Sequence, residues 1–84
     1  MDVFFENKKT WIGIEVKSEI SDEIDILRGL YQCVKYHAVM DSHLSVLDAQ
    51  KDTRVILALG GEFPKSLIPV KNTLGIEVID NINV

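Results

Sequence analysis

Two charged side chains, Glu15 and Lys17, are the residues of this sequence best suited to chemistry. They lie two positions apart in segment 11–17, where apolar residues alternate with other types. This period of two predicts a β-strand, so both charged side chains leave the same face of that strand. A carboxylate can hold Mg²⁺ through oxygen, and a nearby ammonium can orient water or neutralise charge on a phosphate. The pair therefore suits metal-assisted phosphodiester hydrolysis.

A second carboxylate, Asp2, is predicted to face Glu15 across a hairpin. Residues 2–6 also have the pattern of a strand, and the polar stretch 7–10 has the length of a hairpin loop. A loop of four residues sets the register in which Asp2 lies opposite Glu15, with Cβ atoms about 5 Å apart. The same register brings five residues to one apolar face: Val3, Phe5, Ile12, Ile14 and Val16.

A helix is predicted to follow this strand, from an N-cap at Ser21 to about Asp41. Acidic residues in its first turn suit the positive end of the helix dipole. Residues 41–52 are polar and turn-like, with one short helical turn possible at 44–47. Apolar residues at helical spacing form the predicted core stripe of this helix: Ile24, Leu27, Tyr31, Val34 and Ala38.

The same helix carries a polar stripe beside the apolar one. Gln32 and Tyr36 are four positions apart, and Arg28 lies one turn earlier. These side chains could reach the edge of the sheet where the charged pair emerges, and the guanidinium is a natural phosphate ligand. The alternative is an exposed stripe with a half-buried tyrosine, in which Arg28 forms a surface salt bridge with Asp25.

The remaining elements predict a small α/β domain. Residues 53–59 form a nearly continuous apolar strand, of the kind that is covered on both faces. A short helix is expected from Pro64 to about Lys71, and a last strand at 75–79. The order is β-β-α-β-α-β, in which the strand–helix–strand part implies a right-handed crossover. The expected fold is a small mixed β-sheet flanked by helices.

These residues resemble a known set of motifs. Asp2 followed by Glu15-Val16-Lys17 is similar to the Asp…(Asp/Glu)-x-Lys pattern of the PD-(D/E)xK nuclease superfamily. Residues 32–36, Gln-Cys-Val-Lys-Tyr, resemble the Gln-x-x-x-Tyr element that follows on the next helix in its RecB-like branch. The similarity covers about residues 2–60.

The resemblance implies a restriction-endonuclease-like core with a defined set of roles. Asp2 and Glu15 would be the ligands of Mg²⁺ or Mn²⁺, and Lys17 would be the catalytic lysine. Gln32 and Tyr36 would support the site or contact DNA. The sequence departs from the family in having no proline before Asp2 and no room for the usual upstream helix. A second subunit could supply that helix, or the protein could be a shortened, inactive relative.

Composition limits the other classes of function. The 84 residues are expected to form one domain spanning 1–84, with 46% hydrophobic and 26% charged residues. The formal net charge of −4 counts against a broad basic surface for nucleic acid, although a metal requires carboxylates. A lone cysteine, Cys33, excludes an internal disulfide and is expected to be buried. The two histidines, His37 and His43, are expected to be structural or exposed.

The expected location is the cytoplasm. The first residues lack the basic-then-apolar order of a signal peptide. No apolar run approaches the roughly 20 residues that a transmembrane helix needs, so no membrane partner is expected.

Three functional hypotheses follow from the sequence. The first is a Mg²⁺-dependent or Mn²⁺-dependent nuclease that cuts DNA and forms a homodimer or other homo-oligomer. An oligomer is expected because the small core, the missing upstream helix and the double-sided strand at 53–59 imply surface that one chain cannot cover. The second is a catalytically inactive module with the nuclease fold that binds nucleic acid or a partner protein. The third is a regulatory or assembly protein whose polar strand face is incidental.

Overall fold

The computed structural model describes residues 3–47 and 51–83. Asp2 lies outside the described residues, and its place opposite Glu15 stays a prediction. The elements of the fold are strands β1 Val3–Glu6, β2 Thr10–Lys17, β3 Asp52–Leu59 and β4 Glu77–Ile79, with helices α1 Glu23–Val46 and α2 Ile68–Leu74, the latter preceded by a 3₁₀ turn at Lys65–Leu67.

The hairpin of β1 and β2 has the predicted register. The strands are antiparallel, and Phe5 pairs with Ile12 as predicted from the loop length. The Asn7 side chain fixes the loop, because its Oδ1 accepts hydrogen bonds from the backbone N–H groups of Lys9 and Thr10, each at 2.8 Å. Asparagine is favoured in turns for this type of contact.

The sheet is mixed, as the sequence predicts. Its order is β1-β2-β3-β4, and β3 runs parallel to both β2 and β4. Helix α1 connects β2 to β3, and α2 connects β3 to β4. Both connections lead to the next strand in the same direction across the sheet. Crossovers of one hand then put both helices on the same face. The prediction of a small α/β domain with a mixed sheet is confirmed.

The core lies between that face of the sheet and the two helices. Val55, Leu57 and Leu59 of β3 point into this core. Residues of segment 63–76 close it at the end near α2. Its buried members are Ile26, Leu30, Cys33, Met40, Val55, Leu57, Leu59, Phe63, Leu67 and Ile76.

The boundaries of α1 differ from the prediction at both ends. The N-cap is Asp22 rather than Ser21, and its Oδ1 accepts a hydrogen bond from the backbone N–H of Asp25 at 2.8 Å. The helix continues to Val46 instead of ending at about Asp41. The extra turn is stabilised by tertiary contact, since Leu44 extends the buried face beyond the predicted end.

The predicted core stripe of α1 is wrong in four of its five positions. Leu27 packs against the core, whereas Ile24, Tyr31, Val34 and Ala38 are exposed. The buried stripe is instead Ile26, Gly29, Leu30, Cys33, Met40 and Leu44. The helix has apolar residues around most of its circumference, so periodicity alone allowed two stripes.

The C-terminal elements are shorter than predicted or shifted along the chain. The helix expected from Pro64 to Lys71 is instead a 3₁₀ turn followed by α2, which ends at Gly75 in the left-handed region with φ of 67°. Glycine adopts this conformation without a steric penalty and commonly ends helices. The last strand is only β4, because residues 75 and 76 belong to the turn that leads into it.

Among residues 3–47 and 51–83, we find no helix with the length and apolar character needed to span a bilayer.

The cap of α1 gives a test of its observed start. Asp22→Ala removes the acceptor for the first turn and should lower the free energy of unfolding by about 1 kcal/mol. Ser21→Ala is the matched control and should change it much less. Urea denaturation followed by circular dichroism measures both; a larger loss in the Ser21 variant would contradict the assigned cap.

The β3–β4 pair carries a pH-dependent contact. Arg54 donates two hydrogen bonds to the Glu77 carboxylate, from Nε at 3.0 Å and from Nη2 at 2.6 Å. These bonds hold the pKa of Glu77 below its usual value. A lowered carboxyl pKa stabilises the fold above the unfolded pKa, and that contribution is lost as the pH falls through the lowered value.

We therefore expect a small acid-dependent loss of stability in the wild type that Glu77→Gln lacks. The effect is small because both side chains are about half exposed and solvent screens the pair. Urea denaturation at neutral pH and below about pH 4 compares the two proteins. Glu62→Gln, an exposed control, should retain the wild-type dependence.

Candidate functional site

The chemistry-bearing face of β2 is turned toward α1. Gly13 and Glu15 are buried, and Lys17 is partly buried on the same face. The alternation predicted from the sequence is confirmed: Glu15 and Lys17 emerge on one side, and Ile14 and Val16 point to the other. In the parallel ladder, Glu15 pairs with the buried Leu57 of β3. The acidic group thus lies beside the centre of the core.

Glu15 is the only buried charged side chain in the part of the chain that the structure describes, at 6% exposure. Removing a carboxylate from water costs several kcal/mol unless charge or hydrogen bonds compensate it. The Glu15 carboxylate acts electrostatically on the Cys33 thiol of α1. Burial, and secondly the nearby Glu15 carboxylate, raise the pKa of Cys33 to about 12. The environment around Glu15 is therefore shielded from solvent and disfavours further negative charge.

Lys17 lies next to Gly29 of α1. A Cβ atom placed on Gly29 would lie 3.4 Å from Lys17 Cε and 3.0 Å from Leu57 Cδ1. The missing side chain of Gly29 therefore lets the aliphatic part of Lys17 run directly against the helix. The sequence suggested that this glycine allows close packing against the sheet, and that interpretation is confirmed. The helix restricts the conformations open to the Lys17 stem.

Gln32 and Tyr36 are both partly buried on α1. They share a helical stripe with His43, whose ring contacts the Trp11 ring of β2 edge-on at a centroid distance of 5.8 Å. The stripe consequently faces the β2 side of the helix. The Oε1 atom of Gln32 is buried and has no hydrogen-bond partner among the described residues. Arg28, one turn earlier, is exposed.

Only one of the two predicted carboxylate ligands, Glu15, lies within the described residues. Within 3–47 and 51–83, no three His, Cys, Asp or Glu side chains cluster in a way that could hold a metal ion. Glu15 supplies one carboxylate there, and Gln32 Oε1 is a second buried oxygen acceptor. Mg²⁺ prefers oxygen ligands and usually keeps several waters, so each of these oxygens is of the type that a hard cation binds. The second predicted ligand, Asp2, lies outside the described residues.

A polar network that the sequence did not predict joins α1 to β3. Thr53 Oγ1 donates a hydrogen bond to Asp41 Oδ1 at 2.5 Å and lies 2.9 Å from His37 Nε2. The spacing of His37 and Asp41 places them on one helical face, but nothing in the sequence indicates their partner on the strand. The network supports the expectation that His37 is structural.

A surface cavity of about 290 Å³ is formed by residues that follow β3. It is lined by residues 62–80, including Lys65, Lys71 and Asp80, and includes none of the predicted site residues. Since charges of both signs share this cavity, it offers no clear chemical preference. The candidate site is defined by its buried polar groups instead of by a large pocket.

Comparison of the chain with protein-family models, with curated proteins and with solved structures found no match. The resemblance to nuclease motifs therefore stays a prediction from the residues themselves.

The reactivity of Cys33 tests the surroundings of Glu15. With a pKa of about 12, the thiol is almost entirely protonated at mildly alkaline pH, and only the thiolate is an efficient nucleophile. We expect iodoacetamide to leave Cys33 unmodified in the native protein and to modify it in urea. Mass spectrometry measures both; rapid modification of the native protein would show that this part of the core is open.

Proposed function

We propose that this domain is a metal-dependent nuclease that hydrolyses DNA phosphodiester bonds. The observation that carries the proposal is the buried Glu15 carboxylate beside Lys17 on one strand face under α1. Burying a carboxylate costs more than burying an apolar side chain, even where partners compensate part of that cost, and this supports a functional role for Glu15.

In this proposal, Glu15 and Asp2 hold Mg²⁺ or Mn²⁺. A bound divalent ion would polarise the phosphate and lower the pKa of a coordinated water. The Lys17 ammonium would orient the attacking water and balance charge that develops on the phosphate. Contact with the helix at Gly29 supports this role, because a restrained stem reduces the entropy lost when the ammonium is positioned.

The polar stripe of α1 would complete the site. The buried Gln32 Oε1 has an unused acceptor site among the described residues, which suits a hydrogen bond from a metal-bound water. Tyr36 would support the site from the next turn, and the exposed Arg28 would contact the DNA backbone. We extend the proposal to a restriction-endonuclease-like core acting in the cytoplasm.

The decisive experiment is DNA cleavage by purified protein with Mg²⁺ or Mn²⁺. Glu15→Gln and Lys17→Ala should each lower the cleavage rate by roughly a hundredfold or more, because each removes a group that acts on the reacting atoms. Glu19→Gln and Lys65→Ala are the matched controls at exposed positions and should keep the wild-type rate. Equal rates in wild type and Lys17→Ala, with all variants folded by circular dichroism, would contradict the proposal.

A second candidate function is a catalytically inactive module of the same fold that binds nucleic acid or a partner protein. It is favoured by the absence of a three-ligand cluster within the described ranges and by the net charge of −4. Titration calorimetry with Mg²⁺ and Mn²⁺ separates the two candidates. Metal binding that is lost in Glu15→Gln supports the nuclease, whereas no heat from either metal leaves the binding module.

A further inference from the structure

The face of the sheet opposite the helices is apolar, and within the described residues neither helix packs on it. Both helices pack on the core side, and the residues that point to the other side are absent from the core cluster. We call this surface the open face. Its apolar members are Val3, Phe5, Ile12, Ile14, Val16, Ile56, Ala58 and Ile79.

Strand register makes these residues one continuous surface. Val3, Ile14 and Ile56 form a row across three strands. The neighbouring rows place Phe5 beside Ile12, and Val16 beside Ala58 and Ile79. Exposure is greatest at the two edges, with Phe5 57% and Ile79 51% exposed. In the middle, Ile56 is 8% and Ala58 is 5% exposed in the single chain.

The charge on the open face favours an apolar occupant. Within the apolar rows, the charged side chains of the described strands are Arg54 and Glu77. They bond to each other through two hydrogen bonds and so carry no net charge. Within the described strands, Asp52 at the start of β3 is the one other charged residue on this side of the sheet, so the face offers little to a nucleic acid or a charged peptide. A second apolar sheet surface matches this chemistry, and another copy of the chain supplies one.

The size of the open face is sufficient for a dimer. Four strands about 4.8 Å apart and about six residues long give a face of roughly 19 by 20 Å. Side chains that stand off the sheet and interdigitate bury more than this flat area. Two such faces together reach about 1,000 Å², the lower bound for a specific interface.

We propose that the open face is a dimerisation surface, on which a second copy of the chain packs its own open face. Sheets that pack in this way lie about 10 Å apart, with strands aligned to within about 30°. The contact uses the same residues on both copies, as a twofold interface requires. It contains neither Glu15 nor Lys17, so it is independent of the proposed catalysis.

Sedimentation equilibrium over the micromolar range tests this interface. The wild type should have twice the 9.5 kDa mass of one chain. Phe5→Lys and Ile79→Lys each introduce a charge into the apolar contact and should weaken association about tenfold or more. Both sites are half exposed in one chain, so circular dichroism should show the variants folded.

Two controls separate the open face from other modes of association. Phe4→Lys alters the adjacent residue of β1, which is 51% exposed but points to the other side of the sheet. Val39→Lys alters an exposed apolar residue of α1. Both should keep the wild-type mass. A wild type that sediments as one chain would overturn the proposal, and so would equal loss of association in Phe4→Lys, which points to pairing through the β1 edge.

Discussion

The close approach of α1 to the sheet at Gly29 is the contact on which the other features depend. A Cβ atom at this position would lie 3.0 Å from Leu57 Cδ1 and 3.4 Å from Lys17 Cε, so a larger residue would force these side chains to shift. The same approach brings the thiol of Cys33 within the electrostatic reach of Glu15 and turns the stripe of Gln32 toward β2. A glycine in the middle of a helix costs up to about 1 kcal/mol relative to alanine. Here that cost is offset by a dense contact between the longest helix and the two central strands.

The two faces of the sheet differ in the types of residue that they carry. The covered face holds the charged pair of β2, although charged residues normally remain in water. The opposite face is apolar and open in the described residues. Apart from that pair, the covered face is apolar, with Val55, Leu57 and Leu59 of β3 in the core. The polar groups beneath α1 are compatible with a site that needs a shielded environment, and the apolar groups outside are compatible with a contact to another copy.

The hairpin and the register of β1 with β2 could be predicted because they depend on local information. Loop length and the alternation of Ile12 and Ile14 specify them within a few residues. The buried face of α1 could not be predicted, because apolar side chains such as Tyr31 and Leu30 lie on different sides of one helix. Only contact with β3 decides between them. The candidate site could be predicted in part. The shared face of Glu15 and Lys17 follows from strand geometry, whereas the place of Asp2 remains a prediction.

The different loop lengths of the sheet have a consequence for the order of folding. The β1–β2 turn closes over four residues and is fixed by the Asn7 side chain, so it can form within microseconds. The partner of β2 on its other side lies more than forty positions later in the chain, as the pairing of Glu15 with Leu57 shows. Closing that long loop costs more entropy and must wait for α1 to form and dock. The hairpin would then serve as an early template, and its apolar surface would be exposed to other chains before the core is complete.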